Sequence, residues 1–177
     1  MFRRDDLNIP PDFSFSFFNT AGVILYKNSN SDGFSTFNRI TENTKKLVSI
    51  PDSHASCVVC GKNGSLGLQF SSQGDSVVAV FQANNRWQGY AGVLHGGMIS
   101  TLLDAAMTHC LFNKGIEAMT ASLKVRFLEP VPSCGELELR ASLGEKRRHV
   151  YLLKAELLSS GRCMAKAEAR FIEERKA

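Results

Sequence analysis

The chain has 177 residues, a formal net charge of +4, 44% hydrophobic residues and 21% charged residues. This length fits one domain with a substantial core, and the balance is typical of a globular protein. The mild charge argues against a nucleic-acid partner. No apolar run approaches the ~18–20 residues that span a bilayer, and acids stand where a signal peptide would be apolar. We therefore expect a cytoplasmic protein with no membrane partner.

Residues 1–50 have the weakest pattern, and we predict an N-terminal extension of a main domain at 51–177. About 50 residues would struggle to bury a core of their own. Within the extension, residues 13–18 are rich in phenylalanine, 23–26 resemble a short strand, and 34–47 resemble a helix with apolar residues on one side.

Five cysteines, an odd number with no regular framework, are expected in a reducing compartment. Cys57 and Cys60 form a Cys-x-x-Cys pair, which suggests zinc or redox chemistry. Zinc would need two more ligands, and the sequence has no second Cys-x-x-Cys and no His-x-x-x-His. We expect small buried thiols at a turn before Gly61, and no metal.

From residue 67 onward, apolar periodicity predicts strands, one helix, and more strands. Strands are expected at 68–70 and 76–82, followed by a loop at 84–94 and an apolar helix that reaches about Phe112 and stops before Gly115. Alternating segments then follow at 119–128, 136–143, 149–158 and 162–171, with turns at 144–147 and 159–161. The economical packing is an α+β fold whose antiparallel sheet wraps around the helix.

The start of that helix holds the most informative motif, His95-Gly96-Gly97, with Asp104 further along an otherwise apolar run. Glycines that open a helix leave backbone N–H groups bare, and these donors suit a carbonyl oxygen or an anion. A carboxylate is costly to bury, so Asp104 needs a chemical or structural reason. Together they outline a site with an electrophile-activating end and a candidate base.

The spacing of this motif also predicts an assembly. His95 and Asp104 are ~13 Å apart along a helix and offset by about half a turn, so they can hardly act on one bond within one chain. Two-fold symmetry would bring the Gly97 end of one subunit to Asp104 of another and create two sites per homodimer.

Four segments resemble the hotdog-fold thioesterases of the phenylacetate-pathway (PaaI-like) superfamily, over about residues 55–175. They are LHGGMISTLLDAAM at 94–107, TASLKVRFLEPVP at 120–132, SGRCMAKAEARF at 160–171, and the upstream CVVCGKNGSLGLQF at 57–70. The resemblance implies a hotdog fold and an acyl-CoA thioesterase, in dimers or dimers of dimers. Coenzyme A would enter as part of the substrate, with no separate cofactor.

The same resemblance assigns roles to the motif. Gly97 would stabilise the oxyanion through its N–H, Gly96 would contact the substrate, and His95 would fix or polarise the thioester. Asp104 would act as base or nucleophile from the neighbouring subunit, and Thr120 would help hold the attacking water. The structural alternatives are a tight glycine turn, a structural histidine, a paired buried aspartate and an ordinary strand threonine.

Further candidates for substrate binding are weaker. Gln88 lies beside the position where some relatives place an Asn or Gln. Arg126, Arg147 and Arg148 could bind the coenzyme A phosphates, because the guanidinium fork matches phosphate oxygens. For Arg147 and Arg148, a solvated hairpin tip is the stronger interpretation.

Two other functions stay open at this point. One is a hotdog protein that binds acyl-CoA without cleaving it, as a sensor or scaffold. The other, less favoured, is a hydratase or dehydratase, since one fold can host several reactions. The sequence leaves open the acyl group, the choice between coenzyme A and acyl carrier protein, and the number of subunits.

Overall fold

A computed structural model describes the backbone of residues 13–18 and 24–28, and residues 46–61, 64 and 66–173 in full. Contacts divide the chain into two units, Met1–Asn43 and Thr44–Ala177, and this division falls before the boundary predicted at residue 50. In the first unit, β1 (Phe13–Phe18) and β2 (Ile24–Asn28) form a two-stranded antiparallel sheet. The short strand predicted at 23–26 is therefore present.

The helix predicted at 34–47 lies outside the described residues, apart from its last two positions. Those two are not helical, because Leu47 pairs with Ser71 in an antiparallel bridge. Val48 N–H also donates to Phe70 C=O at 2.9 Å, and Ser72 N–H donates to Lys46 C=O at 2.7 Å. Residues 46–48 are thus extended and belong to the second unit.

The second unit is one helix packed against a six-stranded antiparallel sheet. In chain order its elements are β3 (Ser71–Gln73), β4 (Ser76–Ala83), α1 (Gly96–Phe112), β5 (Met119–Phe127), β6 (Gly135–Arg147), β7 (Val150–Ser159) and β8 (Arg162–Ile172). The order across the sheet is β3-β4-β6-β7-β8-β5, and every neighbouring pair is antiparallel.

The core lies between α1 and one face of this sheet. The helix is apolar on most sides, and its buried residues pack against inward-facing strand residues such as Leu139, Leu157 and Phe171. The predicted helix and the α+β arrangement are confirmed. Among the residues that the structure describes, no helix is long and apolar enough to cross a membrane.

Two predicted boundaries are wrong for local reasons. The strand predicted at 68–70 begins only at Ser71. The turn predicted at 144–147 is instead a continuation of β6, because Gly144 lies at a bulge between Leu143 and Glu145. The chain turns later, where Arg148 adopts a φ of 54°. The turn predicted at 159–161 is correct, with Ser160 and Gly161 both at positive φ.

The two edges of the sheet differ. At one edge β3 is covered by residues 46–48 of the same chain. At the other, β5 pairs only with β8, and its second side has no strand beside it among the described residues. Eight of the nine β5 residues are exposed, including Met119 at 65% and Phe127 at 53%. An open edge with large apolar side chains is typical of an interaction surface.

Candidate active site

His95 caps the start of α1. Its backbone is extended (φ −62°, ψ 133°), and its Nδ1 accepts the Gly97 N–H at 2.9 Å. Because Nδ1 accepts, the proton of the neutral imidazole is on Nε2, which can donate outward. We predicted that the Gly97 N–H would be free, but it donates to His95, which is the N-cap of the helix.

The free donor at this helix end is one residue earlier. Gly96 is the first residue of α1, and its N–H has no acceptor among the residues that the structure describes. A Cβ at Gly96 would lie 3.5 Å from Cζ of Phe127, an ordinary contact. The helix N-terminus thus presents the Gly96 N–H beside the end of β5.

The loop before α1 shapes the surroundings of His95. Its backbone N–H donates to Trp87 C=O at 2.8 Å, and Gly89 lies so close that a Cβ there would be 3.2 Å from His95 Cδ2. A shallow depression of about 240 Å³ is lined by Arg86, Trp87, Gln88, His95 and Met98. Gln88, a candidate from the sequence, therefore lines the same depression as His95, whereas Arg86 and Trp87 had no motif to mark them.

Asp104 and Thr120 are joined directly. Thr120 Oγ1 donates to Asp104 Oδ1 at 2.8 Å, which brings together two residues that the sequence singled out separately. Asp104 is half-buried, and burial raises the pKa of its carboxyl, while the Thr120 hydrogen bond and the charge of His54 lower it in part. Within the described residues no salt bridge involves Asp104. A carboxylate with these surroundings suits proton transfer.

The two halves of the candidate site lie at opposite ends of β5. Thr120 donates to Asp104 near the start of the strand, and the Phe127 ring at its end lies near Gly96. Eight positions of helix separate Gly96 from Asp104, about 12 Å along the axis. One chain therefore does not bring the donor and the carboxylate to a common point.

The predicted phosphate contacts are spread over the surface. Arg126 is exposed on β5, at the open edge. Arg147 ends β6 and makes an ion pair with Glu145, with Nη2 at 2.8 Å from Oε2. Arg148 is at the exposed tip between β6 and β7. Since β7 and β8 lie between β6 and β5, Arg147 and Arg148 are remote from the edge strand that carries Thr120, the partner of Asp104.

Two other groups of polar residues are close to the C-terminal half of α1. His54, Cys57 and Cys60 place their ligand atoms within 4.8 Å of one another. Cys60 is buried, and burial together with the neighbouring Cys57 raises the pKa of its thiol to about 12. The sequence prediction considered the two cysteines without His54, although the spacing His-x-x-Cys-x-x-Cys was available as a signal.

The second group is centred on His109, which is 1% exposed and stacks on Phe70 with ring centroids 4.2 Å apart. Neither ring nitrogen has a hydrogen-bond partner among the described residues. Burial and, to a smaller extent, the charge of His54 together lower the pKa of His109 to about 4. The ring is therefore neutral at pH 7 and serves as part of the core.

Comparisons with known proteins point to one family. The family model described as "Thioesterase superfamily" matches residues 91–171. Among curated proteins, the acyl-coenzyme A thioesterase THEM4 of Bos taurus is 32% identical over 95 residues, which cover 51% of this chain and 39% of that protein. THEM4 of Rattus norvegicus is 39% identical over 56 residues, 32% of this chain and 24% of that protein. The matches thus span well under half of these relatives.

Solved structures agree on the fold. The PaaI protein from the phenylacetic acid degradation operon of E. coli superposes with a TM-score of 0.59 and 17% identity, over 63% of this chain and 82% of that one. Protein smu.793 of Streptococcus mutans UA159, solved with acetyl CoA bound, gives a TM-score of 0.57 and 19% identity, over 62% and 90%. At such identities the likeness establishes the hotdog fold. The chain therefore has a hotdog fold, and its residues 91–171 resemble the thioesterase superfamily.

Proposed function

We propose that this chain is an acyl-CoA thioesterase that works as a homodimer, with each site formed by Asp104 of one subunit and the start of α1 of the other. The observation that carries the proposal is the half-buried Asp104 carboxylate, which has Thr120 as its hydrogen-bond donor and no ion-pair partner in the described part of the chain. The names of the THEM4 relatives and the acetyl CoA bound to smu.793 support an acyl-CoA substrate.

The open β5 edge supports the assembly. If two copies pair through β5 about a two-fold axis, the strands run antiparallel, so the Phe127 end of one copy meets the Thr120 end of the other. Gly96 lies against Phe127, and Asp104 is bonded to Thr120. Pairing would therefore bring the free N–H of one subunit towards the carboxylate of its partner, which is the cross-subunit arrangement that the spacing alone predicts.

In this site the thioester carbonyl would accept hydrogen bonds from the Gly96 N–H, which replaces Gly97 as the proposed donor, and from His95 Nε2–H. These donors stabilise the negative charge that develops on the carbonyl oxygen. Asp104 takes a proton from water as the water oxygen bonds to the carbonyl carbon. The C–S bond then breaks, and the thiolate of coenzyme A leaves and is protonated. Thr120 positions the carboxylate throughout.

The alternative chemistry is direct attack of the Asp104 carboxylate on the carbonyl carbon, which breaks the C–S bond, releases the coenzyme A thiolate and leaves an anhydride that water opens at the Asp104 carbonyl carbon. A single turnover in ¹⁸O-labelled water separates the two. A general base puts solvent oxygen into the free acid in that first turnover. A nucleophile instead puts an unlabelled oxygen atom from Asp104 into the free acid in the first turnover.

Thiol release from acetyl, hexanoyl, palmitoyl, phenylacetyl and benzoyl CoA tests the function. We expect Asp104→Asn to lower kcat by at least about 10²-fold, the usual contribution of a general base. The matched control is Asp75→Asn, because Asp75 is an exposed aspartate at the β3–β4 turn whose partner is Lys114. Wild-type protein that binds these esters without hydrolysing them would favour the non-catalytic binder and overturn the proposal.

The donor assignment has a test of its own. Gly96→Pro deletes one N–H at a position where proline is tolerated, since it is the first residue of a helix and His95 before it is extended. We expect a loss of about 10²–10³-fold in kcat. Gly96→Ala keeps the N–H and adds a Cβ at an ordinary contact distance, so it controls for bulk. Equal activity in the two variants would contradict the assignment.

A further inference from the structure

A second group of reactive side chains lies outside the proposed thioesterase site, in the segment that precedes β3. His54 ends a short 3-10 turn (Asp52–His54), and Cys57 and Cys60 follow in the next turn. Their three ligand atoms all lie within 4.8 Å of one another. Ligand atoms on a tetrahedral zinc ion are about 3.5–3.8 Å apart, given Zn–S near 2.3 Å and Zn–N near 2.0 Å. The cluster is therefore close to a ligating geometry already.

The backbone around the cysteines is shaped for this arrangement. Val59 N–H donates to Cys57 Sγ at 3.4 Å, which stabilises negative charge on that sulfur. Gly61 N–H donates to Cys57 C=O at 2.9 Å and closes the turn. A Cβ at Gly61 would lie only 2.5 Å from Ala55 C=O, so only glycine fits there. The turn holds Cys57 and Cys60 side by side, and the Asp52–His54 turn supplies the imidazole.

The surroundings connect this cluster to the rest of the domain. The His54 ring lies edge-on against Phe112, with centroids 5.0 Å apart, and Ser53 Oγ donates to Glu117 Oε2. Phe112 is the last residue of α1. An ion held by the cluster would thus pin the 52–61 segment to the C-terminal end of the central helix.

From this geometry we propose that His54, Cys57 and Cys60 bind a zinc ion, with water as the fourth ligand, and that this ion stabilises the segment against α1. Two thiolates and an imidazole are a donor set that zinc prefers, and both cysteines are free thiols. The charge of His54 reaches Asp104, so metal content, which does not depend on hydrolysis, is the readout that separates this site from the proposed thioesterase activity.

The first experiment is elemental analysis of the full chain, purified from zinc-supplemented cells without a polyhistidine tag and dialysed. We expect about one zinc per chain in the wild type. Cys57→Ser, Cys60→Ser and His54→Gln should each weaken zinc binding by at least about tenfold, since even an outer-shell partner is worth that much. Cys163→Ser is the matched control, because it removes a partly exposed thiol from β8 and should keep the full metal content.

Cobalt and heat provide two further readouts. Co²⁺ added to the metal-free wild type should give thiolate charge-transfer bands and the intense visible bands of tetrahedral cobalt. A chelator should lower the Tm of the wild type and of Cys163→Ser, while the Tm of Cys57→Ser should not respond. His54→Gln replaces a partly exposed ring, so it should fold even if a cysteine variant does not.

Three results would overturn the proposal. One is a wild-type chain that lacks stoichiometric zinc and shows no cobalt charge transfer. Another is a metal content that is unchanged by all three ligand substitutions. The third is a Cys57–Cys60 disulfide that forms quantitatively in freshly purified protein under reducing-cell expression, since oxidised sulfurs cannot ligate zinc.

Discussion

The two edges of the six-stranded sheet are managed in opposite ways. The β3 edge is short and is covered by residues 46–48, where Val48 N–H donates to Phe70 C=O and Lys46 C=O accepts from Ser72 N–H. The β5 edge is nine residues long and leaves most of its side chains exposed. Among the described residues, one edge is thus protected by the same chain, while the longer and more apolar edge is open, and the open edge is the one that we propose for pairing. Substitutions at the two edges can therefore test whether one edge stabilises the fold and the other pairs subunits.

The largest expected effect comes from charging the β5 edge. Leu123 is the central residue of β5, so in an antiparallel self-pair it lies close to its own copy. Leu123→Lys places two like charges together and should give monomers. Kcat should fall by about 10³-fold or more, since each site loses both donors from its partner. Sedimentation velocity and thiol release measure the two effects.

The control for that substitution is Val80→Lys, which adds the same charge to an exposed valine, 50% accessible, in the interior strand β4. This substitution should leave the oligomeric state and the rate of thiol release unchanged. A monomeric Leu123→Lys protein with full activity would show that one chain is sufficient for catalysis.

The next effect concerns the core beneath the covered edge. His109 stacks on Phe70, whose carbonyl accepts from Val48. Its pKa of about 4 lies below the ordinary 6.5, so the unfolded chain binds more protons between these values. The free energy of unfolding should therefore fall as the pH drops from 6.5 to 4, by about 3 kcal/mol in all. Urea unfolding at several pH values measures this.

His109→Phe should remove this part of the pH dependence, because phenylalanine keeps the stacking and has no proton to bind. His149→Gln, which removes an exposed histidine, should retain it. If the free energy of unfolding varies with pH in the same way for the wild type and His109→Phe, His109 takes up its proton within the folded protein.

A smaller effect is expected from the cover itself. Val48→Pro deletes the N–H that reaches Phe70 C=O, and we expect a loss of about 1–2 kcal/mol in the free energy of unfolding. Because this edge does not assemble, the sedimentation coefficient should not change. Formation of higher oligomers by Val48→Pro would instead show that residues 46–48 prevent edge-to-edge pairing.

The smallest expected effect is a shift in the acidic limb of the pH–rate profile. The Thr120 hydrogen bond lowers the pKa of Asp104, so Thr120→Val should raise that pKa. Since the base works when it is deprotonated, the acidic limb of kcat should move to higher pH. Thr101→Val is a suitable control, because the Thr101 hydroxyl donates to the helix carbonyl of Gly97. An unmoved limb would contradict the role of Thr120.

The sequence was sufficient for features that depend on periodicity. An apolar run opened by two glycines predicted α1 to within its real bounds, and the alternation of β7 and β8 predicted their pairing. Prediction from the sequence failed where one residue type is compatible with two local structures. Gly144 permits a bulge as readily as a turn, so the β6–β7 turn was placed too early.

At the candidate site the limits were those of hydrogen bonding and distance in space. His-Gly-Gly predicts a helix start with free donors, but the choice of His95 Nδ1 to cap Gly97 depends on a side-chain rotamer. Similarly, His54 is three residues from Cys57, yet only folding of the intervening turn shows that their ligand atoms converge. Family resemblance assigned both Asp104 and Thr120 to the site, but only the structure shows the hydrogen bond between them.

The placement of Gly96 and Asp104 at opposite ends of β5 has a consequence in mixed populations. Gly96→Pro and Asp104→Asn chains would each form inactive homodimers, yet a heterodimer of the two would contain one site with both defects and one with none. Random mixing at equal amounts makes about half of the dimers hybrid and so restores about a quarter of wild-type activity. Two variants that are inactive alone would thus recover activity when they are expressed together.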